Sequence, residues 1–266
     1  MIRLLTRGDD FGSFHCANRA IKDAFEQGIL RNTSLMVPAP QFAEAAQLCQ
    51  ELPGLCVGLH ATINCEWHEV RWGPILGAAR VPSLVEEDGT FTKAYPPHPD
   101  NAEIVAELAA QLQRARDAGV HIRYMDTHMG FDWFPGLLPM LEEFTRREGV
   151  FLASWRGKDQ DEIPLYHLPA VEGNFVDPLD KLLAQLEAID PAKVDKPYLI
   201  VTHPCYPDPE IAHVTCGSQH PGEMARERDH DRLCYMDPRI LECCARRGIE
   251  FAQYTDLPPR TQEHRF

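Results

Sequence analysis

The chain is short of the features that place a protein in a membrane, outside the cell or on a nucleic acid. No apolar run in its 266 residues approaches the roughly 20 needed to cross a bilayer. The opening stretch, MIRLLTRGDD, holds only a few apolar side chains before charge appears, too few for a secretory leader, so the cytoplasm is the expected location. There is no Cys-x-x-Cys pair, and the nine cysteines are an odd number that includes the adjacent Cys243 and Cys244, which fits reduced, mostly buried thiols better than a disulfide framework. Basic residues are few. The 26 Lys and Arg against 40 Asp and Glu leave a net charge of -14, without the basic footprint that nucleic acid or an anionic membrane surface requires. No Gly-rich loop carrying a Lys or Arg leads into a helix, which argues against phosphate chemistry. Repeats, low-complexity tracts and linkers are also missing, so a single domain over residues 1–266 is expected.

What is present is an alternation of short apolar runs with amphipathic helical patterns, the mark of a parallel α/β fold. Strands are predicted at residues 2–5, 34–37, 55–59, 122–125, 150–153, 198–201 and 249–253. Helices are predicted between them, the clearest in NAEIVAELAAQLQRARDAG, where Ile104, Leu108, Leu112 and Ala115 share a face, Asn101 is the expected N-cap and Gly119 the stop. Seven strands and about six helices predict a distorted, incomplete (β/α) barrel, with an open doubly wound sheet as the competing arrangement. Two stretches break the rhythm, 65–100 and 204–233; loops of that length in a compact domain are usually lids or binding loops.

In a barrel of parallel strands, residues just beyond the C-terminal strand ends line one shared mouth. Those positions hold Asp9 and Asp10 after the first strand, in "TRGDDFG", His60 in "VGLHATIN", His128 in "YMDTHMGFDWF" and His203 in "LIVTHPCYP". One carboxylate and two imidazoles suffice to bind a divalent ion and leave positions open. Such an ion activates water, and a second, unligated carboxylate nearby can take the proton as the water attacks a carbonyl. This gives two adjacent Asp a purpose, with the cation offsetting their repulsion. Each residue also has a structural explanation: a loop cap for Asp-Asp, a hydrogen-bonded core imidazole for His60, a strand end for His203, and a structural His-Asp pair for His128 with Asp126 two residues away on the same face.

"GDDFG", "GLHATIN", "DTHMGF" and "THPCY", in this order over nearly the whole chain, resemble the YdjC/ChbG family of carbohydrate deacetylases, relatives of the NodB-type polysaccharide deacetylases. The resemblance implies a distorted (β/α) barrel, one divalent metal ion and hydrolysis of the acetamide of an N-acetylated mono- or oligosaccharide, chitooligosaccharide-like in type. It implies Asp10, His60 and His128 as metal ligands, Asp9 as general base and His203 as the acid for the leaving amine; a homodimer is compatible with it. The chain departs from the family at Arg7-Gly8, where Asn-Ala is usual, at Gly130, often a second His, and at Ala61-Thr62-Ile63-Asn64, where Leu-x-Leu-Thr is usual. An Asp-His-His set accepts zinc first, and also magnesium, manganese or cobalt.

Sugars present C–H faces that stack on aromatic rings, and Trp67, Trp72, Phe131, Trp133, Phe134 and Tyr206 lie in the loops or at strand ends. The expected substrate-contacting set is Trp133, Phe131, Tyr206 and Asp126, with a small carbohydrate as the partner. His203, Cys205, His213, Cys216, His220, His230 and Cys234 form a second cluster that could hold a structural zinc, though without paired Cys-x-x-Cys knuckles, and the alternating charges of "MARERDHDR" read as a solvated helix face within a lid. Two rivals are a metal-dependent hydrolase of another amide or ester and a sugar-binding barrel without catalysis; the second has no need for a carboxylate beside a ligand.

Overall fold

The first apolar run and its polar continuation form one strand, β1 (Ile2–Phe11), in a computed structural model that describes residues 1–154 and 165–257. It is longer than the predicted 2–5 because pairing covers it throughout. β6 (Tyr198–Thr202) pairs with residues 4–8, β7 (Ile249–Ala252) with 2–5, and β2 (Asn32–Leu35) with 7–11. A strand has two edges, and these ranges overlap for β6 against each of the others, so β7 and β2 lie end to end on one edge of β1 with β6 on the other. Asn32 splices the junction. Its Nδ2 donates to the carbonyls of Thr6 and Ala252, both at 3.0 Å, and its Oδ1 accepts from the Tyr254 amide at 3.0 Å.

β3 (Cys56–Ala61), β4 (Tyr124–Thr127) and β5 (Phe151–Leu152) extend the sheet, giving the order β5-β4-β3-β2-β1-β6, with every pair parallel. Chain order runs around the curve from β1 to β5, β6 returns to the free edge of β1, and no pairing among the described residues joins β5 to β6. The architecture is therefore the expected incomplete barrel of parallel strands, with helices outside it. These are α1 (His15–Gln27), α2 (Phe42–Glu51), α3 (Asn101–Asp117), α4 (Leu137–Glu148), α5 (Pro178–Glu187), α6 (Glu223–Met236) and α7 (Pro238–Arg247). The cap of α3 falls one residue earlier than expected: the Asp100 carboxylate accepts from the Ala102 amide, while Asn101 donates to the Pro135 carbonyl. None of the helices is long and apolar enough to cross a membrane.

Alternation along the strands turns Leu5, Arg7 and Asp9, then Ser34, Gly58, His60, Tyr124 and Asp126, toward the barrel interior. Its floor, at the N-terminal ends of β3 and β4, is apolar: Leu5, Cys56, Tyr124, Ala252, Tyr254 and Leu257 pack together, with the Tyr124 and Tyr254 rings 4.1 Å apart. Gly58 makes this possible, since a Cβ there would lie 2.3 Å from the Tyr124 ring. The polar residues stand above this floor.

The two long irregular stretches meet across the mouth. Trp67 pairs with Cys216 in an isolated antiparallel bridge, the His68 amide donates to the Thr215 carbonyl, and Glu69 accepts from the Thr215 amide and hydroxyl. The first stretch is also pinned from behind, where buried Glu107 of α3 accepts from the amides of Ile75 and Leu76. The second is not irregular to its end, because α6 begins at Glu223. Its buried face carries Arg228 beside Met224, Ala225, Cys234 and Tyr235, so the apolar stripe that announces a helix is interrupted by a charge.

Candidate metal centre

Successive side chains of a strand point to opposite faces, yet Asp9 and Asp10 both serve the mouth of the barrel. The backbone resolves this at Asp10, which has φ of +62°, and the register against β2 shifts between Gly8 and Phe11. A bulge of this kind re-aims a side chain, at a cost of about 1–3 kcal/mol for a non-glycine residue in the left-handed region. Asp9 keeps the inward orientation and Asp10 is swung onto the C-terminal rim. Gly8, opposite, lets the loop after β6 close in: a Cβ there would touch Pro204 at 3.2 Å.

Three ligand atoms converge at that rim. Asp10 Oδ1 lies 3.4 Å from His60 Nε2 and 3.4 Å from His128 Nδ1, and the two ring nitrogens are 3.2 Å apart. The triangle matches what a small cation demands, since ligand bonds of about 2.0–2.1 Å at tetrahedral angles put neighbouring donor atoms about 3.3–3.4 Å apart. The outward nitrogen of each ring is held by a carboxylate: His60 Nδ1 by Asp126 Oδ2 at 3.1 Å, His128 Nε2 by Glu66 Oε2 at 2.8 Å. Such partners fix the tautomer and orientation of metal-binding imidazoles. All three residues are buried, and neither oxygen of Asp10 has an aligned hydrogen-bond donor.

A second triad, Asp9, His60 and Asp126, is also close enough to hold an ion. That place is taken by Arg7. Its guanidinium grips Asp9 through Nε to Oδ1 at 2.7 Å and Nη2 to Oδ2 at 2.9 Å, reaches Asp126 Oδ2 at 3.0 Å, and donates to the Tyr254 hydroxyl at 3.1 Å. Asp10 has a different counter-charge, Arg228 Nη2, 2.7 Å from its Oδ2, which leaves Oδ1 turned to the two imidazoles. The Asp10-His60-His128 triangle is thus the group of the two with no guanidinium lodged among its ligand atoms, and these residues could hold a cation.

The electrostatics follow from burial and pairing. Burial disfavours a charged Asp10, but Arg228, the nearby rings of His128 and His60, and His203 outweigh it and hold the carboxyl well below its ordinary range. For His128, burial favours the neutral ring, while Glu66 and Asp10 overcome that and push it up to about 9. His60 is driven the same way, well above its usual value, by Asp126, Asp9 and Asp10 against the pull of burial. Without a bound ion, both rings are therefore biased toward their protonated forms.

The remaining expected site residues are spread around this centre. His203 follows β6 with a side chain 44% exposed, its Nδ1 3.6 Å from Asp231 Oδ2 and its amide donating to the same oxygen at 2.8 Å. Trp133 is 45% exposed and stands edge-on to Tyr95 at 5.4 Å, and exposed Met129, at φ of +56°, receives the Tyr95 hydroxyl on its carbonyl. Phe131 is fully buried, Asp126 lies beneath His60, and Tyr206 is held between Arg19 and Arg232 with its hydroxyl donating to Asp23. Trp67 and Trp72 are buried packing residues; Trp67 stacks on Phe14 at 4.7 Å. Among the described residues, the His and Cys of 203–234 form no group close enough to hold an ion. Arg7, Glu66, Arg228 and Asp231 did not emerge from the sequence as site residues. Two signals were there: Arg7 and Asp9 are two apart on a strand, and Arg228 and Asp231 are three apart on a helix.

Residues 3–246 match the sequence profile of the YdjC-like protein family. A carbohydrate deacetylase of Thermoanaerobacter pseudethanolicus is 26% identical over 264 residues, 96% of this chain and 98% of that protein. One from Geobacillus stearothermophilus is 26% identical over 261 residues, 95% of this chain and 97% of its own length. A solved structure from Enterococcus faecalis, named for cellobiose-phosphate cleavage, has a TM-score of 0.78 at 21% identity and covers 96% of this chain and 98% of that one, which shows a common fold. With a profile match spanning all but the ends, this chain belongs to the YdjC-like protein family.

Proposed function

We propose that this chain is a metal-dependent hydrolase that removes the acetyl group from an N-acetylated mono- or oligosaccharide. The observation that carries the reading is the buried Asp10-His60-His128 triangle with a second carboxylate, Asp9, beside it. Near-full-length relatives named carbohydrate deacetylase support the substrate class. A divalent ion held by Asp10, His60 and His128 would supply Lewis-acid activation of water and of the acyl oxygen, zinc first on the spacing of the donors, with cobalt, manganese or magnesium as alternatives.

Asp9 is the base that takes a proton as water adds to the acetyl carbon. Arg7 occupies one lone pair on each of its oxygens and fixes its aim, and a carboxylate oxygen keeps a further lone pair for the incoming proton. His203, oriented by Asp231, delivers a proton to the nitrogen as the C–N bond breaks, leaving acetate and a free amine. Exposed Met129 and Trp133, which follow His128, with half-buried Tyr95 edge-on to Trp133, offer an apolar face for the sugar ring. Asp126, below His60, serves by orienting that ring.

Asp9→Asn separates the two carboxylates. It should retain the metal, measured by elemental analysis, and lose at least about a hundredfold in acetate release, the usual weight of a general base. His128→Ala should lose the metal itself. Turnover by Asp9→Asn equal to the unmodified protein would remove Asp9 from the role.

A further inference from the structure

Helix α6 sends two side chains, three residues apart, to the same place. Asp231 holds His203, and Arg228 reaches the far oxygen of Asp10, Nη2 to Oδ2 at 2.7 Å. Arg228 is buried to nine-tenths, with its Nη1 lacking a hydrogen-bond partner. Its guanidinium lies 5.2 Å above the Trp67 ring, and its carbonyl accepts from the Cys205 amide, two residues after His203. A buried guanidinium set against a buried carboxylate costs desolvation on both sides, and replacing such a pair with apolar groups is often neutral or stabilising, so stability alone is a weak reason to keep it.

We propose that Arg228 sets how Asp10 meets the cation, a proposal that rests on the metal-dependent reading above. A carboxylate can serve a cation through one oxygen or two. Here Oδ2 is claimed by Arg228 and only Oδ1 faces the imidazole nitrogens, so Asp10 is a one-oxygen ligand. The position its second oxygen would fill stays free for water and for the acyl oxygen of the substrate, as an open catalytic site requires. Arg228 is in this sense a positioning residue: it acts on the reaction through Asp10. The same contact couples the long second loop to the metal centre, since the helix that orients His203 also orients Asp10.

The test uses the cobalt form of the full chain, because the visible spectrum of bound cobalt reports the number of its ligands independently of turnover. Arg228→Met keeps an unbranched stem over Trp67 and removes the charge; Arg228→Lys restores one. One cobalt ion should bind each protein. In Arg228→Met the visible bands should weaken as Asp10 supplies its second oxygen, and kcat should fall about tenfold to a hundredfold with little change in KM; Arg228→Lys should recover most of both. An unchanged spectrum with unchanged kcat in Arg228→Met overturns the proposal and leaves the metal reading standing. X-ray absorption of the unmodified zinc form gives a second measurement that needs no variant: one short carboxylate oxygen is expected, and two would overturn the proposal. Failure of the unmodified protein to bind either metal removes the underlying reading instead.

Discussion

On the proposed metal-dependent reading, an ion at Asp10, His60 and His128 should displace protons, and the charges around the site say how many. Among the described residues, Asp9, Asp10, Glu66 and Asp126 meet two fixed cations, Arg7 and Arg228, so two positive charges are missing. Protons on His60 and His128 supply them when no ion is bound, and a divalent cation supplies them when it is. His128 is pushed up to about 9, since Glu66 and Asp10 outweigh the pull of burial, and His60 is raised in the same direction. Near neutrality both rings must therefore lose a proton for the ion to bind. Each proton steepens the affinity about tenfold per pH unit, or about 1.4 kcal/mol, so His128 alone gives about tenfold per unit below pH 9 and His60 adds to it in the same direction. The linked effect on folding has a definite sign. A raised histidine adds stability that is complete below its unfolded value, about 6.5, and is lost as pH rises through 9, so the thermal midpoint of chelated protein should fall across that window while that of loaded protein does not. The assay is competition for zinc with a chromophoric chelator at several pH values, with an indicator dye counting the protons released in weak buffer. Release of less than one proton per ion, with affinity flat in pH, would refute the charge balance.

Two further predictions concern the scaffold. Gly58→Ala places a methyl 2.3 Å from the Tyr124 ring, which packs at a tilt against Tyr254 and is hydrogen-bonded to Ser34; the overpacking should cost about 1–3 kcal/mol in urea unfolding, and an unchanged midpoint would contradict the packing of the floor. Burial pushes the thiols of Cys56 up to about 11 and of Cys234 and Cys244 up to about 12. A raised thiol adds stability that is complete below its unfolded value of about 8.5 and is lost as pH rises, by up to about 1.4 kcal/mol per pH unit for each; stability should decline between pH 8.5 and 11, and these three should resist iodoacetamide at pH 8 until the chain is unfolded.

Much of this was legible in the sequence, because strand and helix periodicities differ and because parallel strands send their C-terminal ends to one face. The seven predicted strands all form, and Asp9, Asp10, His60 and His128 meet because each stands at such an end. What stayed hidden has physical causes. The extension of β1 through Arg7 and Asp9 is a polar run buried inside a barrel, where a strand no longer looks apolar. α6 has a charged residue on its buried face, so its pattern resembles a solvated helix. Glu66 comes from an irregular loop whose path is set by Glu107, Gln111 and the bridge to Cys216, contacts far away in the chain that no local pattern announces. Phe131 and Trp133, two residues apart, illustrate the same limit, one buried and the other exposed.

The most direct test of the account is acetate release from N,N'-diacetylchitobiose by purified protein, first after exhaustive chelation and then with zinc, cobalt, manganese or magnesium added back. The account predicts no acetate from the chelated protein, acetate restored by added metal, and none restored in Asp10→Asn. Full activity after chelation, or none from this and other N-acetylated sugars by protein holding one ion at Asp10, His60 and His128, would contradict it.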